Sequence, residues 1–173
     1  RQTEFKTMIA GLNLKTDGDC QLEVFGDELE IMDLETNIDI VEALPEEVGV
    51  IAVNAPLDGV KGLSEKEEEL VEEGHIFFFF FQNTELERRA LHLKQLFVEN
   101  GVEAELVRFD PMITSKELAI EGDKALESYG VPSNEISSAD EFDAVLGAVT
   151  ARFYEQNQCE DFGIQVPSPL DEN

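Results

Sequence analysis

Positive charge is scarce in this chain: its 173 residues hold 12 Lys and Arg against 39 Asp and Glu, a formal net charge of −27 and a pI near 4.1. That scarcity excludes a broad, non-specific grip on nucleic acid, because each phosphate contact needs a Lys or Arg. Any nucleic acid would have to be held by a local basic patch or through metal ions. Cysteine is nearly absent too. Cys20 and Cys159 stand far apart, which excludes a disulfide framework and fits a reduced, cytoplasmic setting. No window reaches 18 apolar residues, so no membrane-spanning helix is expected, and the first residues lack the apolar core of a signal peptide. There is no phosphate-cradling glycine loop, no nucleophile elbow and no Cys–His pair. His75 and His92 have no Cys or His at zinc spacing, so both read as structural.

Apolar residues are plentiful, at 42%. A chain of this length can bury roughly 68–70% of its unfolded surface around one core, so a single domain over residues 1–173 is expected. The acids are spread along the whole sequence, which makes the entire surface acidic. Self-repulsion on that scale opposes compaction unless salt screens it, and a salt-rich, halophilic cytoplasm accounts for it economically.

The pattern along the chain predicts alternating elements. Met8–Leu14 reads as a buried strand. Gln21–Phe25 and Leu29–Leu34 follow it with the Gly26-Asp27 turn between them, an antiparallel meander. Glu35–Leu44 has helical spacing and stops at Pro45. Val48–Val53 is a continuous apolar run, as expected of a strand covered on both faces, and Pro56 ends the sheet just beyond Asn54. Ser64 and Glu67 make a capping box for a helix running to Gly74. Residues 84–100 form the clearest helix, with Leu86, Ala90, Leu93 and Phe97 as its apolar stripe and Gly101 closing it. Val102–Phe109 reads as a strand ending at Asp110-Pro111, Ser115–Tyr129 as a helix with a break at Gly122, and Ser138–Gln158 as a long final helix. Residues 164–173 read as a surface tail. The first strand and the Val48 strand are the most apolar and should lie side by side at the sheet centre.

Four segments carry a resemblance. Met8–Leu14 (MIAGLNL), Val50–Leu57 (VIAVNAPL), Val107–Leu118 (VRFDPMITSKEL) and Asp140–Phe153 (DEFDAVLGAVTARF) resemble, in this order, the family catalogued as domain of unknown function 429. That family consists of predicted nucleases of the ribonuclease H-like superfamily. The resemblance implies an α/β, three-layer fold with a mixed five-stranded sheet, three antiparallel strands and then two parallel ones, flanked by helices. It also implies divalent-metal chemistry on phosphodiesters, with Mg²⁺ or Mn²⁺ held by carboxylates at the ends of the first and fourth strands and on the closing helix. Carried over residue by residue, those positions are Asn13, Asn54 and Asp143. A further acid expected before the proline falls near Arg108, with Asp110 close by.

Two metal ions roughly 3.5–4 Å apart need charged oxygen ligands to hold them. Amides at two of three positions remove two negative charges, so the enzyme implied by the resemblance is weak or inactive. Asp143 and Asp110 are the expected metal ligands, with Asp17 or Asp58 as substitutes. The other reading is that Asn13 and Asn54 cap strand ends with hydrogen bonds, as Asn does well.

The one basic cluster is Arg88, Arg89, His92 and Lys94 on the 84–100 helix, readable as an anion or partner patch or as surface ion pairing, with Glu85 four residues before Arg89. Phe77–Phe81, five consecutive aromatics, reads as a buried strand or as a homodimer contact. Two functions from different classes remain: a metal-dependent nuclease-family protein with a degraded site, or a non-catalytic binding or scaffold protein using the basic helix or the Phe-rich segment.

Overall fold

A computed structural model describes residues 8–16, 18–58, 64–75 and 84–169. Strands β1 (Met8–Asn13), β2 (Cys20–Phe25) and β3 (Leu29–Leu34) form the expected meander. After helix α1 (Asn37–Ala43), strand β4 (Val48–Val53) lies parallel to β1, and β5 (Glu105–Arg108) lies parallel to β4. The sheet order is β3-β2-β1-β4-β5, so the two most apolar strands are central neighbours. Helices α2 (Glu65–Glu72) and α3 (Thr84–Glu99) connect β4 to β5. After β5 come α4 (Pro111–Glu117), two 3-10 turns and α5 (Ala139–Glu155).

Strand alternation divides the core into two layers. Ala10, Leu12, Leu22, Val24, Ile51 and Val53 pack towards α1 and α3, where Leu93 and Phe97 meet them. Ile9, Val50, Ala52, Val107 and Phe109 face α5, packing against Val145 and Leu146. The same parity places Gly11 and Asn13 of β1, Gln21 and Glu23 of β2, Asp33 of β3 and Asn54 on the α5 side of the sheet.

Helix α5 sits unusually close to β1. A Cβ on Gly11 would lie 2.0 Å from the Ala144 carbonyl oxygen and 2.3 Å from the Ala148 nitrogen, and one on Gly147 would lie 3.0 Å from the Gly11 Cα. Two glycines facing each other therefore let the helix backbone rest on the strand. The N-terminal turns of α5 come to lie over the carboxyl end of β1 as a result.

Three expectations change. Residues 164–173 are not a surface tail throughout: Gln165–Pro167 is a strand, β7, pairing antiparallel with β6 (Cys159–Asp161). Ile164 and Val166 are buried with Phe162 against Leu70 of α2 and Ile113 of α4, a small second core whose sequence pattern is too short to show a period. The 115–129 helix breaks in the stretch that includes Gly122, as expected, but it begins earlier, at Pro111, and its second piece is a 3-10 turn. Pro111 occupies the first turn of α4, where its missing N–H costs nothing, and the chain leaves the helix at Ala119, with φ 55°. Asp123–Tyr129 then forms a 3-10 turn ending at Gly130, whose φ of 84° suits glycine. Helix α2 stops at Glu72, before Gly74. The Phe77–Phe81 segment and Asp17 lie outside the described residues. Among those residues no helix is long and apolar enough to cross a membrane.

Candidate functional site

The carboxyl ends of β1, β4 and β5 and the start of α5 converge, and four of the sequence-derived residues, Asn13, Asn54, Asp110 and Asp143, meet there with Asp140 and Lys15. Asn54 follows β4 and extends the β1–β4 ladder with its side chain. Its Oδ1 accepts from the Leu14 N–H at 2.7 Å, and its Nδ2 donates to the Leu14 carbonyl at 3.4 Å. The same Nδ2 donates to Asn13 Oδ1 at 2.8 Å. Asn13, 4% exposed, donates through Nδ2 to Gln21 Oε1 at 3.0 Å and to the Asp140 carbonyl at 3.3 Å. Gln21 Nε2 donates in turn to Asp33 Oδ1 at 3.3 Å.

These bonds form a directed chain of amides crossing the sheet from β4 to β3. Its direction is fixed at both ends. The Leu14 N–H requires an acceptor from Asn54, and the Asp33 carboxylate requires a donor from Gln21. Each donated bond polarises the next, so the chain is a satisfied buried network with no loose amide among its members.

Asp110 and Asp143 occupy the remaining sides. Asp110 is the N-cap of α4: extended backbone brings its Oδ1 to accept from Met112 N–H at 2.9 Å and Ile113 N–H at 3.2 Å. Its Oδ1 thus holds a helix end. Asp143 lies in the second turn of α5, half-buried. Burial, together with the charges of Asp140 and Asp110, pushes its carboxyl up to about 6, while Lys15 pulls in the opposite direction. Lys15 Nζ pairs with Asp140 Oδ2 at 2.9 Å. Arg108, where the resemblance places another acid, is turned away into a mostly buried pair with Glu67 of α2 at 2.9 Å. Asp58 is solvent-exposed.

The basic residues of α3 lie elsewhere, and two of them hold backbone. Arg89 donates through Nη2 to the Glu35 carbonyl at 2.7 Å, through Nη1 to the Lys15 carbonyl at 2.9 Å and through Nε to Asn37 Oδ1 at 3.1 Å. Lys94 donates to the Leu57 carbonyl at 2.9 Å, and His92 Nδ1 faces Asn37 Nδ2 at 3.0 Å. Arg88 is exposed. The cluster therefore pins the loops after β1, β3 and β4 to α3. An open anion patch would need its donors directed to solvent.

Lys15, Asp140, Gln21 and Asp33 are site residues that sequence reading passed over. A polar residue at alternate positions of otherwise apolar strands (Gln21 and Glu23 in β2, Asp33 in β3) was the available signal. The register that joins Asn13 to Gln21 and Gln21 to Asp33 is a tertiary fact.

No protein-family model and no curated protein sequence matches the chain. Among solved structures, Thermus thermophilus RuvC in complex with a Holliday junction substrate superposes with a TM-score of 0.55 at 14% identity, covering 93% of this chain and 99% of that one. Another structure of Thermus thermophilus RuvC gives a TM-score of 0.51 at 15% identity, covering 92% and 99%. With the strand order, these likenesses establish a ribonuclease H-like fold: a mixed five-stranded sheet between layers of helices. At such identities they speak for the fold alone.

Proposed function

We propose that this chain is a ribonuclease H-like protein of the nuclease type, related to the domain of unknown function 429 family, in which metal-dependent phosphodiester hydrolysis is weak or lost. The observation that carries the reading is the 2.8 Å bond from Asn54 Nδ2 to Asn13 Oδ1. The two strand-end positions satisfy each other, and neither brings charge.

The donor set does not fit a pair of hard dications. Asn54 Oδ1 and Asn13 Oδ1 are uncharged and each already accepts an N–H, and Asp110 Oδ1 accepts two N–H groups of α4. Asp140 is paired with Lys15. Mg²⁺ and Mn²⁺ select several charged oxygens in a near-ideal shell, which this arrangement withholds. Among the described residues no group of three or more His, Cys, Asp and Glu side chains is placed to hold a metal.

A binding role without cleavage is the second reading, and the intact fold supports it. The basic helix adds little to it, because Arg89 and Lys94 spend donors on the protein's own carbonyls. A net charge of −27 further opposes a grip on a phosphate backbone.

The test incubates the protein in high salt with Mn²⁺ or Mg²⁺ and end-labelled linear DNA, four-way-junction DNA and single-stranded RNA. The expected result is no turnover by the native chain, and a gain of metal-dependent cleavage in the double variant Asn13→Asp/Asn54→Asp. Multiple-turnover cleavage by the native chain, abolished by Asp143→Ala, would overturn the proposal.

A further inference from the structure

We infer that Arg152 is a proton-operated latch between α5 and the sheet: while Glu23 is protonated its guanidinium rests over the Phe25 ring, and when Glu23 ionises it turns inward to pair with that carboxylate. The inference is independent of the nuclease reading, because it concerns the last turns of α5, away from the amide chain.

Strand register brings the two groups together. Glu23 pairs with Gly11 of β1 on one side and with Ile31 of β3 on the other. Gly11 lies directly under Ala144, Gly147 and Ala148 of α5. Arg152 is one helical turn beyond Ala148, and Phe25 is the next residue of β2 on the face that holds Glu23. The Arg152 guanidinium carbon stands 5.7 Å from the centre of the Phe25 ring, one side-chain position along the strand from Glu23.

Each group lacks what the other offers. Glu23 is 0% exposed with both oxygens unpartnered, and Arg152 Nε is buried and unpartnered as well. Glu155 Oε1 stands 3.8 Å from that nitrogen, too far for a hydrogen bond. A buried carboxylate left unpaired is costly, and a guanidinium fork offers the parallel N–H donors that match it. A protonated Glu23 exerts no such pull, and the cation then keeps the ring face and its contact with solvent. A cavity of about 50 Å³, lined by Ile9, Phe25, Ala148 and Val149 as well as Arg152, leaves that side chain room to change rotamer.

Other charges stand back from Glu23. The neighbouring β1 residues Gly11 and Asn13 carry none, and Asp33 of β3 is exposed and bonded to Gln21. Asp123, Lys124 and Glu127 of the 3-10 turn are exposed too, and Glu155 lies on the outer side of Arg152. Burial raises the Glu23 carboxyl, and Arg152 is the charge that opposes the rise.

The experiment follows the Glu23 side-chain carboxyl carbon and the Arg152 Nε–H group by NMR through a pH series in constant high salt. It uses the native chain, Glu23→Gln and Glu155→Gln. In the native chain the Arg152 Nε–H signal should shift with the same midpoint as the Glu23 carboxyl. Above that midpoint its exchange with water should slow by about tenfold relative to exposed Arg88. Glu23→Gln should hold the Arg152 signal constant through the same range. Glu155→Gln, an exposed change that should fold as the native chain does, should keep the coupled transition. An Arg152 signal that stays put while Glu23 titrates would overturn the inference. So would a shift that persists in Glu23→Gln or vanishes in Glu155→Gln, or a Glu23 that keeps its proton up to the pH at which the chain unfolds.

Discussion

Glu23 sits at the centre of β2, fully buried, with neither carboxylate oxygen hydrogen-bonded. Burial pushes its carboxyl well above the ordinary 4.5, and Arg152 of α5 opposes that shift only in part. The sign follows directly. A carboxyl whose folded value is raised binds its proton more tightly in the folded state. The stability it contributes is fully present below about pH 4.5 and is lost as pH rises towards the folded value. While Glu23 is ionised when unfolded and protonated when folded, stability falls by about 1.4 kcal/mol per pH unit. Between about pH 5 and pH 7 that amounts to at most about 3 kcal/mol, a large share of a typical 5–15 kcal/mol. Glu23→Gln removes the ionisation and keeps the shape. The glutamine amide is itself buried without an evident partner, so the variant carries a constant offset of about 1–3 kcal/mol. The diagnostic quantity is therefore the difference in unfolding free energy between the two proteins as a function of pH. Measured by urea denaturation over a pH series starting near about pH 5 in constant high salt, that difference should shift in favour of the variant as pH rises. The other acids repel one another in both proteins and cancel from the difference. Parallel pH profiles would refute the argument, because they would mean Glu23 ionises as readily folded as unfolded.

Two further perturbations test the frame and the cleft. Gly11→Ala places a methyl against immovable backbone of α5 at 2.0 Å, so the helix must lift from β1; the loss should be about 3 kcal/mol or more, read as a lowered denaturation midpoint or as insoluble protein. Asp143, raised to about 6 from 3.8, loses stability as pH climbs through that window, so Asp143→Asn should gain roughly 1 kcal/mol relative to the native chain between about pH 4 and pH 7, a figure reduced for its half-exposed position and checked by thermal melts at both values.

Much of the architecture was legible because it depends on local pattern. The β4 run of Val48–Val53, the meander of β1 to β3, and the capping box of Ser64 and Glu67 all announce themselves within a few residues. Element order then fixed a mixed sheet with β1 beside β4. What stayed hidden depends on register and distance. The β6–β7 hairpin has strands of three residues, too short for periodicity, and becomes apolar surface only against α2 and α4. In the site, Asn13 and Asn54 could be located, but their mutual bond required the β1–β4 register. Lys15 and Asp140 looked like two of many surface charges, because nothing in the sequence shows that Gly11 and Gly147 draw α5 down until they meet. Arg89 looked like half of a surface ion pair and proves to clasp the connections after β1 and β3.

The direction of the amide chain has a consequence for the order in which such a site can change. An acid at position 13 would still accept from Asn54 Nδ2. Its second oxygen would meet Gln21 Oε1, so one amide must turn over, and the conflict moves to Asp33 near the edge of the sheet, where water can absorb it. An acid at position 54 alone would put an oxygen against Asn13 Oδ1 and force Asn13 and then Gln21 to turn. It would also set an oxygen against the Leu14 carbonyl, whereas the Asp140 carbonyl meets an oxygen at position 13 on either route. The two replacements are therefore unequal as first steps. A lineage moving between a carboxylate cleft and an amide one passes more easily through a chain that is acidic at position 13 and amide at 54 than through the reverse, so the geometry of four hydrogen bonds sets a preferred mutational route.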